Sequence, residues 1–269
     1  SGAYTITPSK TGGFGEALSS FDAARISQHS VGQPLPQLTG NQLLVADVSN
    51  NGQISSFDAG MVAKFVAGPP YTSPGVGLTG TWKFSPVSRD YPSVTTNITG
   101  EDYSALLMGE VSGNWVDSGA RLRAGSGGPE RSASVYLPHL VAAESEIIIP
   151  VSVQGVANKD IISYEFDLRY DPLVIQPQAD PVSLAGTVSR GLFAVANPSR
   201  AGLLRVVVYG PMPIVENGLL LNLKFTAVGA PGSVSPLIWQ RLMFNEGEPR
   251  ANMMDGLIEL VQEIATRVE

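Results

Sequence analysis

The chain has 269 residues, with 17 basic and 24 acidic side chains, a formal net charge of −7, and no cysteine. The acidic balance and the lack of any Lys/Arg cluster exclude nucleic acid as a partner. Without thiols neither disulfides nor thiolate metal sites contribute, and no apolar run approaches the roughly 20 residues of a membrane span.

The length suffices for two ordinary domains. With 29 Gly and 20 Pro beside many Val, Ile, Thr and Ser, the composition points to a strand-rich exterior protein. If it is secreted, the sequence from Ser1 is expected to be its mature form.

Within residues 1–10, Tyr4 and Ile6 alternate with Thr5 and Thr7, which predicts a single strand with none before it. The segment resembles the last strand of a prealbumin-like, carboxypeptidase-regulatory-type module. Tyr4 and Ile6 are therefore expected either to join a sheet of their own chain or to be donated to a neighbouring subunit by strand addition.

Residues 11–117 carry an internal repeat. Ser19-Ser20-Phe21-Asp22-Ala23 recurs as Ser55-Ser56-Phe57-Asp58-Ala59, each followed by a helical pattern that stops at a glycine, Gly32 and Gly68. Ahead of the second copy, Asp47, Ser49 and Asn51 stand at positions one, three and five of a calcium loop. Gly52 at six permits the sharp turn, Gln53 offers its carbonyl at seven, and Asp58 closes the loop at twelve. Ile54 at eight is expected to pin the loop to the core, and Phe57, Met61, Val62, Phe65 and Val66 fall on one face of the helix.

A closing Asp in place of a bidentate Glu, with only two charged ligands, predicts weak affinity, about 10⁻⁴ to 10⁻³ M. The same residues also read as a polar turn capping a helix, with Asp58 against its dipole. Ahead of the first copy, Thr11, Gly13 and Gly15 stand where ligands would, so that loop is not expected to hold calcium in the same way. His29 takes the place of Phe65 and is expected on a helix face or in the core.

Paired loop-helix units closing on Asp-Ala resemble dockerins, the calcium-dependent docking modules of extracellular multiprotein assemblies. The resemblance runs from about Gly12 to Gly68 and is fuller in the second copy. It implies Ca2+ as the bound ion. Residues beside the last ligand contribute to partner recognition in that family, which assigns Ser20, Phe21, Ser56 and Phe57 to partner binding here.

Beyond Tyr71 the pattern changes to short strands, Thr79 to Phe84 and parts of Tyr103 to Met108. Glu110, Ser112 and Asn114 repeat the front spacing of a calcium loop with no helix behind them. They either meet Asp22 in space as a second site or form a solvated turn. Asn97-Ile98-Thr99 is a glycosylation sequon at Asn97. Residues 118–131, Gly-rich and charged, read as an interdomain linker long enough to let the two halves tilt.

Residues 132–269 read as all β. Tyr164, Phe166, Leu168 and Tyr170 alternate with Ser163, Glu165, Asp167 and Arg169, and Leu219, Leu221, Leu223 and Phe225 alternate with Asn222, Lys224 and Thr226. Further strands fall at Ser145 to Val153, Leu203 to Tyr209, Val234 to Phe244 and Leu257 to Val261. So many half-buried antiparallel strands predict a β-sandwich of about nine strands. The phrases YEFDLRYDPLVI, GLLLNLKFTAVG and MFNEG, in that order, resemble a cohesin, the sandwich module to which dockerins bind. The fold class expected is mainly β, with a small helical dockerin-like part and a C-terminal cohesin-like β-sandwich of jelly-roll type.

Enzyme readings fail on inventory. His29 and His139 lie in different domains, no nucleophile elbow or phosphate loop appears, and no cluster has zinc spacing. Glu165 and Asp167 share a strand face, which is read as solvated rather than as an acid pair.

A docking module and its receptor-like sandwich on one chain present two different, complementary surfaces, and such contacts grow into open filaments unless they close a ring. The reading is a non-catalytic extracellular structural protein, bacterial and at the cell surface, that self-associates head to tail as a fibre subunit, with calcium supporting the dockerin-like half. The alternative is a scaffold or adaptor of a cellulosome-like complex, with cohesin- or dockerin-type partner proteins.

Overall fold

A computed structural model describes residues 2–14, 16–32, 34–116 and 132–262 of the chain. The expected linker over 118–131 lies outside the described residues, as does Gly15.

Among the described residues the N-terminal unit holds three helices and two small ribbons. In chain order these are β1 (Tyr4–Ile6), α1 (Ser20–Val31), α2 (Asn41–Ala46), α3 (Ser56–Ala67), β2 (Trp82–Ser85), β3 (Arg89–Tyr91) and β4 (Ser104–Leu107). Both repeat helices start for one local reason. Ser19 and Ser55 take extended backbone and accept from the backbone N–H of Phe21 and Phe57, while Asp22 and Asp58 reach back to the Ser19 and Ser55 N–H groups at 2.9 and 3.0 Å. Both stop at glycines of positive φ, Gly32 and Gly68, where a side chain would be strained.

β1 pairs antiparallel with β3, Tyr4 opposite Tyr91 and Ile6 opposite Arg89, so the N-terminal strand joins its own chain. Tyr4 and Ile6 remain 57% and 51% exposed. β2 pairs with β4, Trp82 opposite Leu107.

The remaining strands are β5 (Ser132–Tyr136), β6 (His139–Ala142), β7 (Glu146–Gln154), β8 (Ile161–Arg169), β9 (Ile175–Ser183), β10 (Phe193–Arg200), β11 (Leu203–Ile214), β12 (Gly218–Ala227), β13 (Val234–Phe244), β14 (Arg250–Met254) and β15 (Gly256–Leu260). They form a six-stranded sheet in the order β10-β11-β8-β13-β15-β6 and a five-stranded sheet in the order β14-β5-β7-β12-β9. The chain is thus mainly β, with a jelly-roll sandwich of more strands than the sequence pattern counts. Two strand pairs are parallel, β14 with β5 and β15 with β6, against the expectation of antiparallel pairing throughout. The missed strands are short or polar, such as β6 and β14, and carry little alternation.

Between the sheets, Tyr164, Phe166 and Leu168 of β8 meet Leu204, Val206 and Val208 of β11, Leu223 and Phe225 of β12, and Trp239 of β13. Phe166 and Trp239 stand edge to face at 5.1 Å, as do Tyr170 and Phe225 at 5.2 Å. A bulge between Leu219 and Leu221 shifts the β12 register, so Leu220 and Leu221 are both buried.

The other face of β8 departs from the sequence reading. Ser163 is buried and Glu165 is 3% exposed, because α1 lies across β8 and β11 while α3 lies across β11 and β10. Ile162, Val207 and Tyr209 of the sheet share one apolar cluster with Ala23, Ala24 and Ile26 of α1 and Ala59, Val62 and Ala63 of α3. The small alanines bring the helices close to the sheet. A strand covered on both faces loses its alternation, which explains the unbroken Val206-Val207-Val208.

Candidate docking interface and calcium loops

Polar groups on the sheet grip the helix ends. Ser20 N–H, in the first turn of α1, donates to Glu165 Oε2 at 2.9 Å, placing a buried carboxylate at the positive end of the helix. Arg241 of β13 pairs with Glu165 on its other side and lies 3.7 Å from Glu16.

At the end of α3, Asn197 Nδ2 donates to the Ala67 carbonyl at 2.7 Å and to the Pro69 carbonyl, and Ser199 Oγ reaches the Pro69 carbonyl at 3.1 Å. The Ala67 carbonyl is one that the helix C-terminus leaves without an intrahelical donor, and the Pro69 carbonyl follows just beyond the cap. Tyr71 Oη donates to Ala196 O at 2.8 Å and Gln28 Nε2 to Pro211 O at 3.2 Å. Asp167 is paired with Arg205 through both oxygens, at 2.6 and 2.7 Å. Glu165 and Asp167 are therefore bound by arginines rather than solvated. Burial beneath the helices also pushes the Tyr209 phenol up to about 12.

The structure separates the two copies of the partner-binding motif. Ser20 and Phe21 face the sandwich or pack against the shared cluster, whereas Ser56 is exposed and Phe57 is 59% exposed. Phe57 was expected on the apolar face of its helix; that face is occupied instead by Met61 and Val62, while Ile54 packs against the same cluster. His29 Nδ1 accepts from Leu38 N–H at 3.3 Å, a structural role. Asn97 is exposed between β3 and β4.

The loop from Asp47 to Asp58 wraps its acidic groups around Ser49. Ser49 N–H donates to Asp58 Oδ1 at 3.0 Å and Ser49 Oγ to Asp47 Oδ1 at 3.1 Å. Asn51 N–H and Gly52 N–H also donate to Asp47, at 3.1 and 2.8 Å, and Gln53 N–H to Asn51 Oδ1 at 2.8 Å. Gly52 has a φ of 83°, which lets the chain reverse there. This oxygen-rich donor set suits a hard cation. Asp47, Ser49, Asn51, the Gln53 carbonyl and Asp58 would hold calcium, whose contribution is charge neutralisation and rigidity. Among the described residues no three His, Cys, Asp or Glu side chains converge as a metal-holding group, so hydroxyl, amide and carbonyl oxygens must complete such a site.

The fragments set aside for a second site do meet. Asp22 Oδ1 accepts from Val111 N–H at 2.9 Å and Ser112 N–H at 3.1 Å. Glu110 Oε1 accepts from Ser112 Oγ at 2.9 Å, from Asn114 N–H at 3.2 Å and from Gly113 N–H. Asn114 Nδ2 donates to Glu246 Oε1 at 2.6 Å, across to the sandwich. Burial, then the carboxylates of Glu246 and Glu110, push the Asp22 carboxyl well above the usual carboxylate range. The segment that should have supplied a first-copy loop goes elsewhere, with Gly12 and Gly13 carbonyls accepting from the indoles of Trp82 and Trp115 at 2.7 and 2.9 Å.

Sequence reasoning missed Asn197, Arg241 and Glu246 and misread Glu165. The legible signal was the apolar run at 206–208, which marks a sheet face that water does not reach.

Residues 139–249, less than half of the chain, match the family Cohesin domain.

Similar solved structures include a chain of a type I cohesin-dockerin complex from Clostridium thermocellum, 17% identical over 48% of this chain and 99% of that chain, with a TM-score of 0.41. The seventh ScaB type I cohesin of Pseudobacteroides cellulosolvens is 17% identical over 51% of this chain and 97% of that chain, with a TM-score of 0.41. A non-cellulosomal cohesin of the archaeon Archaeoglobus fulgidus is 19% identical over 49% and 92%, with a TM-score of 0.40. No curated protein matches the chain. Among the described residues no helix is long and apolar enough to cross a membrane.

Proposed function

We propose that the chain is a non-catalytic extracellular assembly subunit, and that copies join head to tail when the helical unit of one seats on the six-stranded sheet of the next. The observation that carries this reading is the cover on that sheet, where α1 and α3 lie over β8, β10 and β11 and are held at their ends by Glu165 and Asn197. A chain that owns both halves of a contact can close it internally or exchange it between copies. Exchange makes a heterologous contact that propagates as a filament unless its rotation closes a ring.

Calcium in the loop from Asp47 to Asp58 supports the helical unit. At a free concentration a hundredfold above the dissociation constant it adds about 2.7 kcal/mol to the folded state. Light scattering and negative-stain microscopy of the purified chain with calcium, over rising concentration, test the reading. Concentration-dependent fibres or rings are expected; a chain that stays strictly monomeric at high concentration overturns it.

A further inference from the structure

We infer that residues 2–14 form a strap that latches the helical unit onto its own sandwich, with Lys10, clamped between Trp82 and Trp115, as its catch.

The strap is pinned at both ends. Near its start β1 pairs with β3, Gly2 O accepts from Val94 N–H at 3.3 Å, and Ile6 O accepts from the Tyr103 hydroxyl at 3.0 Å. Near its end Lys10 Nζ lies 4.2 and 4.4 Å from the ring centres of Trp82 and Trp115, which stand edge to face. An ammonium over an indole is attracted by the ring quadrupole. The indole N–H groups donate to the Gly12 and Gly13 carbonyls, so the rings that hold the cation also hold the backbone beyond it. Gly13 has a φ of 69°, and a Cβ there would come 3.1 Å from Lys10 Cε. Glycine at this place lets the lysine stem fold back onto the rings without crowding.

The clamp and the lead-in to α1 share one small core. Leu18 and Leu107 are buried there, packed with Phe14, Phe65, Trp82 and Trp115. Phe14 meets Phe65 of α3 edge to face at 5.5 Å, and its carbonyl accepts from Ala17 N–H at 3.0 Å. Within this turn Glu16 lies 3.7 Å from Arg241 of β13, and Ser20, two residues beyond Leu18, donates its N–H to Glu165. Loss of the catch therefore loosens the packing of Leu18, and with it the hold of the sheet on the start of α1.

The same strap is built to release. Tyr4 and Ile6 are both more than half exposed, and a ribbon of three residue pairs is marginal by itself. Segments that bury little apolar surface open at low free-energy cost. Clamped, the strap keeps the helical unit on the sheet of its own chain. Released, it leaves that unit ready for another copy. The bearing on assembly rests on the head-to-tail reading, whereas the latch rests on the clamp and the small core beneath it.

Amide hydrogen exchange of the full chain, read residue by residue, tests the latch. Lys10→Met removes the charge and keeps an apolar stem; Lys10→Arg keeps the cation. Lys10→Met should speed exchange of the Ser20 amide about 3- to 10-fold, while Lys10→Arg stays close to the unaltered chain. The amides of Val62, within α3, and Ile149, within the sandwich, should not change. No change at Ser20, an equal rise at Val62, or equal behaviour of the two variants overturns the proposal. Light scattering adds the second arm, in which Lys10→Met should lower the concentration where copies begin to join. An onset that stays put overturns the role of the latch in assembly. A chain that stays monomeric while Lys10→Met exposes Ser20 sinks the assembly reading and leaves the latch standing; fibres or rings with Ser20 unmoved do the reverse.

Discussion

The two copies of Ser-Ser-Phe-Asp-Ala fold alike and live differently. Their cap residues superpose in backbone, Ser19 at φ −145° and ψ 173° and Ser55 at −144° and 176°, and both complete a capping box. Yet Ser20 is buried against Glu165, while Ser56 and Phe57 stand in solvent. Five residues therefore decide where a helix begins, and the sandwich decides which copy becomes an interface. The second copy keeps a continuous acidic loop, whereas the first lost its own and is closed by a turn from the far end of the unit.

The largest test of this asymmetry is Glu165→Lys. It puts a cation against the positive end of α1 and beside Arg241, where a carboxylate now accepts the Ser20 N–H. Breaking a buried pair of this kind costs about 3 to 5 kcal/mol, so a matching fall in urea-denaturation stability is expected. A charge placed at the second copy, Ser56→Lys, should stay within about 0.5 kcal/mol. Equal effects would mean that the sheet does not discriminate between the copies.

A smaller contrast comes from Phe21→Ala and Phe57→Ala. Phe21 packs against the shared cluster and should lose about 1 to 3 kcal/mol, below the cost of a fully buried Phe. Phe57 should lose less than about 0.5 kcal/mol in thermal melts. Smallest, and pointed because it should be symmetric, is the pair Ser19→Ala and Ser55→Ala. Each removes one cap, at about 1 kcal/mol, and a large inequality would show that the caps are not equivalent once packed.

Much of this was legible beforehand, for reasons that differ from place to place. The repeat and both terminal glycines rest on interactions within a few residues, so sequence spacing reveals them. The inward faces of β8 and β12 were readable because period-two alternation survives where one side meets the core. What failed was the polar side of β8. Glu165 looks like a solvated residue until the helical unit is laid over it, and that contact joins positions 145 residues apart. The pairing of β1 with Arg89–Tyr91 was hidden likewise, since RDY has no strand signature of its own.

The turn from Glu110 to Asn114 had a visible spacing, and the sequence reading already offered Asp22 as the residue it would meet. Glu246, which orients its amide, belongs to a different folded unit.

The placement of the three tryptophans has a practical outcome. Trp82 and Trp115 stand edge to face at 5.1 Å in the N-terminal unit, with the Lys10 ammonium 4.2 and 4.4 Å from their ring centres. Trp239 is enclosed between the sheets, its indole N–H donating to Met254 O at 3.1 Å. Emission from the first pair and from the third ring will therefore respond to separate events, so the chain carries its own optical probe for the melting of each half.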